Sequence, residues 1–281
     1  MAAAIILYHP EDKMIEYILN LRQYFETVYL FDNTESEDQT KRTRKRLSQK
    51  GIKYAAKNSN MGLAYGLNVC CNAAYKDGWQ WIMLFDQDSV VTKDLVGSMK
   101  AFIEQYDEEK LAIAVPMLDD CKNRNVKQVK AKRKKEVMTS GMTLKLSAYK
   151  QNGYFLNALF VDYVDYEYCL RLKENGFFIL ENNQAVLRHN QYDEEKVLAG
   201  YKINKYSPLR HYYIARGYCY ILKRYGYDKI FIEQLKETTY RRLWRVLFYD
   251  DHKIKKMLAM ILGVLDFKLN RFGQCRWKIL F

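Results

Sequence analysis

The feature that most restricts this chain is an alternation. Short apolar runs, Ala2–Tyr8, Val28–Phe31, Ile52–Ala55 and Trp81–Phe85, are separated by segments of helical periodicity, Met14–Phe25, Lys41–Lys50 and Met61–Ala74. A strand that is apolar along its whole length has no polar face to give to water, so both faces must be covered. Such runs joined through helices predict a parallel sheet with right-handed crossovers, an α/β fold. Further on, Leu95–Tyr106 reads as helix, Ala112–Pro116 as strand and Val137–Leu146 as strand-like. Asp162–Asn175 reads as a helix closed by Gly176, and Phe177–Leu180 and Ala185–Leu187 as two short strands. Beyond about Tyr206 helical patterns take over, which divides the chain into residues 1–205 and 206–281.

Charge narrows the partners. The chain carries a net charge of +13 and 24 tyrosines. That favours an anionic partner, whether nucleic acid, a phosphate-rich substrate or an acidic lipid surface. The six cysteines form no CxxC pair and no zinc spacing, which predicts free thiols in a reducing cytosol. The opening apolar run is short and lacks a basic lead, so no signal peptide is expected. The run Met257–Leu265 is about half of the ~20 residues that a spanning helix needs. The expected protein is cytoplasmic and does not cross the membrane. Lys122–Lys135 holds eight basic residues and no acidic one, and reads as a mobile loop or irregular hairpin.

In an open α/β sheet the carboxyl ends of the strands hold the ligand. Three polar clusters stand at such ends: Asp32-Asn33, Asn58–Asn68 and Asp86-Gln87-Asp88-Ser89. Asp86 and Asp88 make a DxD pair, and hard divalent cations take carboxylates together with substrate phosphates. The same pair would also suit a solvated turn that caps the next helix. In Asn60–Asn68, Gly62 and Gly66 would admit a ligand close to the backbone, while Asn60 and Asn68 offer amides. An ordinary helix start with Asn60 as its N-cap fits as well.

In combination these pieces resemble family 2 glycosyltransferases, in the bacterial rhamnosyltransferase-like branch. The matching segments, in order, are YHP at 8–10, FDN at 31–33, NxGxAxGxN at 60–68, LFDQDS at 84–89 and TSG at 139–141. GYFLNALFVDYVDYEYCLR at 153–171, RH at 188–189 and SPLRHYYIARG at 207–217 follow. The resemblance implies a GT-A fold, Rossmann-like with a mostly parallel sheet flanked by helices. Residues 1–205 would be the nucleotide-sugar-binding catalytic domain.

The resemblance also implies roles. Asp32, Asn33, Asn60, Gly62, Asp86, Ser140, Gly141 and Arg210 would bind the donor. Asp88, with Asp86 and His189, would hold Mg²⁺ or Mn²⁺. Asp165 would be the catalytic base. The family usually shows Glu-Asp where this chain has Val164-Asp165, which leaves Asp162 as an alternative base. The implied reaction is a single displacement with inversion. It carries L-rhamnose from dTDP-rhamnose to a lipid-linked or oligosaccharide acceptor in cell-surface polysaccharide synthesis. The same fold would equally take galactofuranose, glucose or N-acetylglucosamine.

At helical spacing Leu243, Trp244, Leu247 and Phe248 share an arc, as do Ile254, Met257, Leu258, Ile261 and Leu265, with Lys253 and Lys256 turned away. A basic amphipathic face of this kind suits an anionic membrane at the inner face of the cell, packing on the catalytic domain, or a homodimer interface. A nucleic-acid-binding protein is the competing class. It is disfavoured because the basic residues gather in a loop and the tail, with no recognised nucleic-acid motif.

Overall fold

The computed structural model describes residues 1–118, 130–189, 196–198, 201–203, 206–226, 229–277 and 280. The chain forms two units. One comprises residues 1–156 and 168–190, the other 157–167 and 191–281. Their boundaries fall elsewhere than at residue 205, because the short segment 157–167 joins the helices that follow it.

In the first unit the expected alternation is realised. The order is β1 (Ala2–Leu7), α1 (Asp12–Leu21), β2 (Val28–Asp32), α2 (Glu37–Arg46), β3 (Ile52–Ala56), α3 (Leu63–Lys76) and β4 (Trp81–Asp86). Then come β5 (Ser89–Val90), α4 (Lys93–Gln105), β6 (Leu111–Leu118), β7 (Ala131–Lys134), β8 (Thr143–Lys145) and α5 (Leu146–Asn152). α6 (Val164–Glu174) bridges the two units, and β9 (Phe178–His189) closes the first. Among the described residues the sheet runs β3-β2-β1-β4-β8-β6-β9-β5, with β7 also paired to β9. The four strands β1 to β4 are mutually parallel, whereas β8, β5 and β7 enter antiparallel. This is the mixed, mostly parallel sheet flanked by helices that the GT-A expectation requires.

The first strands are buried almost completely: Ala2–Ile5, Leu7, Val28–Phe31 and Ile82–Phe85 are all core residues. Ile15, Ile18 and Leu21 of α1 recur at one-turn spacing and pack into the same core. Four details depart from the sequence reading. α2 begins at Glu37 because the Ser36 side chain accepts a hydrogen bond from the Gln39 N–H and caps it. Val137–Leu146 supplies strand only at Thr143–Lys145, since Gly141 turns the chain at φ +81°. The two short strands expected over 177–187 are one strand, β9, whose register against β6 shifts between Pro116 and Met117. α6 starts at Val164 rather than Asp162, because Phe160, Asp162 and Tyr163 all adopt left-handed φ. Of the basic run, Ala131–Lys134 forms β7; residues 122–129 lie outside the described residues.

The second unit contains β10 (Lys196–Leu198) paired antiparallel with β11 (Tyr201–Ile203), then α7 (Pro208–Tyr225), α8 (Lys229–Phe248) and α9 (Lys253–Lys268). α7 packs against α9 around Phe160, Tyr212, Tyr213, Ala259 and Cys275. A charged network is buried here. Tyr212 donates its hydroxyl to Asp266 (2.7 Å), Trp277 donates to the same carboxylate oxygen (3.0 Å), and Arg216 donates to the Gly273 carbonyl (2.6 Å). Lys256, turned away from the apolar arc of α9 as expected, is buried between Asp250 (2.7 Å) and Asp251 (2.8 Å). Cys70, Cys71, Cys169, Cys219 and Cys275 are all unbridged. No described helix is long and apolar enough to cross a membrane.

Candidate active site

The carboxyl ends of β1, β2, β3 and β4 converge on one rim of the first unit, and Asp32, Asn33, Asn60, Gly62 and Asp86 follow those ends, whereas Arg210 lies on α7 of the second unit. β2 ends in Asp32, fully buried. Its Oδ1 accepts the Thr34 N–H (2.9 Å) and its Oδ2 accepts the Tyr54 hydroxyl (2.7 Å) from the neighbouring β3. Burial, then the hydrogen bond to this carboxylate, raises the Tyr54 hydroxyl above the ordinary phenol range. Asn33 follows, also buried. Its amide grips the glycine-rich turn from both sides, accepting the Met61 N–H (3.0 Å) and donating to the Gly62 carbonyl (3.2 Å). Asn33 thus fixes the turn with its own amide.

That turn differs from the expected one. Gly62, not Asn60, is the N-cap of α3, and its φ of +86° is one that a side chain would resist. Asn60 closes the turn before it, its Oδ1 accepting the Gly62 N–H (3.0 Å). Gly66 serves helix packing: a Cβ there would sit 3.0 Å from Ile6 and Phe31. Asn68 is buried and clamps the Phe155 backbone from both sides (2.8 and 2.9 Å), so its amide faces inward.

The DxD turn is braced at two points. Gln87, between the acids, accepts the Tyr8 N–H (3.0 Å) and donates to the Tyr8 carbonyl (3.4 Å), tying the turn to the end of β1. Ser89 is buried and its hydroxyl meets that of Ser140 at 2.6 Å. Gly141, next to Ser140, packs tightly itself: a Cβ there would lie 2.9 Å from Leu187 and from Pro116. Asp86 and Asp88 are partly exposed. The cap of α4 is Thr92, which accepts the Leu95 N–H, so neither acid is needed as a cap. The ladder between β5 and β9 sets His189 opposite Ser89, one residue beyond Asp88.

Oxygen-rich Asp86 and Asp88, two carboxylates one residue apart on a braced turn, fit a hard divalent cation completed by substrate phosphates. Among the described side chains, no three of His, Cys, Asp and Glu gather as a ready metal cage.

Sequence reasoning missed several residues at this rim. Tyr54, Thr34, Tyr8 and His9 belong to it: His9 N–H donates to Thr34 Oγ1 (2.9 Å), and the His9 ring lies 3.2 Å from Glu35. YHP at a strand end was the available signal for two of them.

In the second unit, Asp165 stands in the first turn of α6, its Oδ1 accepting the following Tyr166 N–H (2.9 Å). Asp162 lies just before the helix with its side chain 15% exposed, 3.4 Å from the Arg210 Nε. Its other oxygen, Oδ2, is buried without a hydrogen-bond partner. Burial pushes the Asp162 carboxyl up, against the opposing pull of Arg210 and Arg242. Arg210 also lies over the Tyr206 ring at 4.1 Å. Glu167, third of the acidic cluster, is buried and takes the Tyr225 hydroxyl (2.9 Å).

With a sheet of this topology and a braced acid pair at its rim, residues 4–162 match the sequence profile of glycosyl transferase family 2, and the chain belongs to that family. Its particular relatives follow. It is 24% identical over 290 residues to the dTDP-rhamnosyl transferase RfbF of Shigella flexneri, with 94% of each chain covered. Among solved structures it resembles S. aureus TarS 1–349 in complex with UDP-GlcNAc (TM-score 0.60, 16% identity, 95% of this chain and 80% of that one). It also resembles the mannosyltransferase PcManGT of Pyrobaculum calidifontis in complex with GDP-Man and Mn²⁺ (TM-score 0.55, 10% identity, 95% and 87% covered).

Proposed function

We propose that this family 2 glycosyltransferase transfers L-rhamnose from dTDP-rhamnose, with inversion, to a lipid-linked or oligosaccharide acceptor in cell-surface polysaccharide synthesis. The observation that carries the reading is the DxD turn, pinned by Gln87 to β1 and by Ser89 to Ser140. A preorganised acid pair at the mouth of an α/β sheet is where a nucleotide diphosphate would be received. The full-length similarity to RfbF supports rhamnose over other sugars.

On this reading Asp32 and Asn33 shape the base pocket, Asn60 and Gly62 the turn beside the nucleotide, and Ser140 and Gly141 the floor under the acid pair. Asp86 and Asp88, with His189, would hold Mg²⁺ or Mn²⁺. When bound, that ion neutralises the charge on the departing diphosphate. Asp165 accepts the proton of the acceptor hydroxyl as its oxygen bonds to the anomeric carbon and the bond from that carbon to the diphosphate breaks. Asp162, the alternative base, is held by Arg210, which we assign to the donor.

The test is turnover on a panel of nucleotide sugars, dTDP-rhamnose, UDP-GlcNAc and GDP-mannose among them, with Mg²⁺ or Mn²⁺ and then with chelator. Asp88→Ala and Asp165→Ala should each lower turnover by about 10²-fold or more while melting stays unchanged. Turnover of dTDP-rhamnose lost in Asp162→Ala but kept in Asp165→Ala would move the base to Asp162. Turnover of another donor alone would replace rhamnose. No metal-linked nucleotide binding at all would refute the proposal.

A further inference from the structure

α9 is set against its own hydrophobicity. The stripe it buries is Lys256, Ala259, Met260, Gly263 and Asp266, small or charged residues apart from Met260, closing on α7. The opposite stripe is Ile254, Leu258, Ile261 and Leu265, which are 85, 40, 60 and 42% exposed. Their spacing of four, three and four residues keeps them on one side of the helix. A soluble helix ordinarily does the reverse, hiding its aliphatic face and wetting its charged one. α8 repeats the pattern in aromatic form. Trp244 and Phe248 are stacked on each other at 5.0 Å with both rings more than half exposed, and Tyr240 lies a turn before them, also exposed.

Charge selects the occupant. Lys229 to Phe281 holds twelve lysines and arginines against five acidic residues. Lys253, Lys255 and Lys268 of α9 are exposed, as is Arg241 of α8. A second copy of the chain would bring two such basic faces together. An anionic bilayer would take the aliphatic side chains and the amphipathic rings into its headgroup boundary and attract the lysines to its phosphates. No described helix can span a bilayer, so the contact is one of lying on the surface.

We infer that the Ile254–Ile261 stripe of α9 and the Trp244–Phe248 pair of α8 form a docking surface for an anionic lipid membrane. The inference does not depend on the sugar transferred. Its test is cosedimentation of the full-length chain with vesicles of phosphatidylcholine alone, or of phosphatidylcholine mixed with phosphatidylglycerol. Binding to the anionic vesicles should exceed binding to the neutral ones by about tenfold and fall several-fold in high salt. Ile254→Glu combined with Ile261→Glu should abolish it, and Lys253→Glu with Lys255→Glu should weaken it. Both pairs are exposed, and unchanged melting and nucleotide binding would show that the fold persists. Equal binding to both vesicles, no binding, or binding that survives the isoleucine changes would overturn the inference. So would a concentration-dependent dimer that the isoleucine changes dissolve in the absence of vesicle binding. Because the readout is binding rather than turnover, failure here leaves the transferase reading untouched, and the reverse holds.

Discussion

The hydroxyl of Tyr54 donates across 2.7 Å to Oδ2 of Asp32, a carboxylate with no exposure to solvent, at the ends of two adjacent parallel strands. The register that places Leu30 beside Tyr54 brings the ring back over the end of β2. The other oxygen of Asp32 is held by the Thr34 N–H, so the acid is locked by one backbone and one side-chain donor.

Tyr54→Phe therefore removes a hydrogen bond to a buried charged group without changing the ring. We expect a loss of about 1–3 kcal/mol in unfolding free energy, read by urea denaturation. We also expect nucleotide affinity to fall several-fold by calorimetry, because Asp32 is freed to shift. Unchanged affinity beside lowered stability would make the pair purely structural.

Gly141→Ala tests the tight turn next to Ser140. The residue sits at φ +81°, and its new methyl would press on Leu187 and Pro116 at 2.9 Å. Backbone strain and overpacking together should cost about 2–4 kcal/mol, seen as an earlier denaturation midpoint. A variant as stable as the parent would show that the β6 and β9 side chains yield freely.

His211 predicts how the protein responds to acid. It is buried, and both ring nitrogens lack a partner. Burial first, then Arg242 and Lys256, pushes its pKa down to about 4. Between the ordinary value of about 6.5 and about 4 the unfolded chain binds a proton that the folded chain refuses, so stability falls as pH falls. Near pH 5 the loss should be about 2 kcal/mol relative to pH 7. His211→Gln should flatten this slope in melts run across that range. An equal slope in the variant would assign the acid sensitivity to other groups.

The strands were legible wherever apolar runs had to be buried on both sides, as in β1, β2 and β4, and so were the polar clusters at their ends. Pairings made across the sheet were not. Nothing near Tyr54 in the sequence names Asp32, and nothing near Ser89 names Ser140, because both contacts depend on strand register. β9 was read as two pieces because Glu181–Gln184 is polar, yet the strand continues through its register shift against β6. Asn68 and Gly66 looked like ligand contacts because residue type does not reveal which side of a helix meets the sheet. For α9 the periodicity grouped Ile254, Met257, Leu258, Ile261 and Leu265, and all of these but the half-buried Met257 are exposed together. Which way that group faced followed only from the residues on its other side, Lys256 and Asp266, having buried partners of their own.

The brace on the acid pair also orders events in time. Ser89 is held by Ser140, 51 residues downstream, and is laddered to His189, a hundred residues on. Contacts so distant in sequence close late, since the intervening chain must be ordered first. During synthesis β1 to β4 can assemble from the first third of the chain, and Gln87 can already tie the turn to Tyr8, but the Ser89 contact waits for Ser140 and its ladder for His189. A chain released before Phe178 would have most of the parallel half of its sheet and an acid pair held by Gln87 and Ser140 but lacking the β9 ladder beside it.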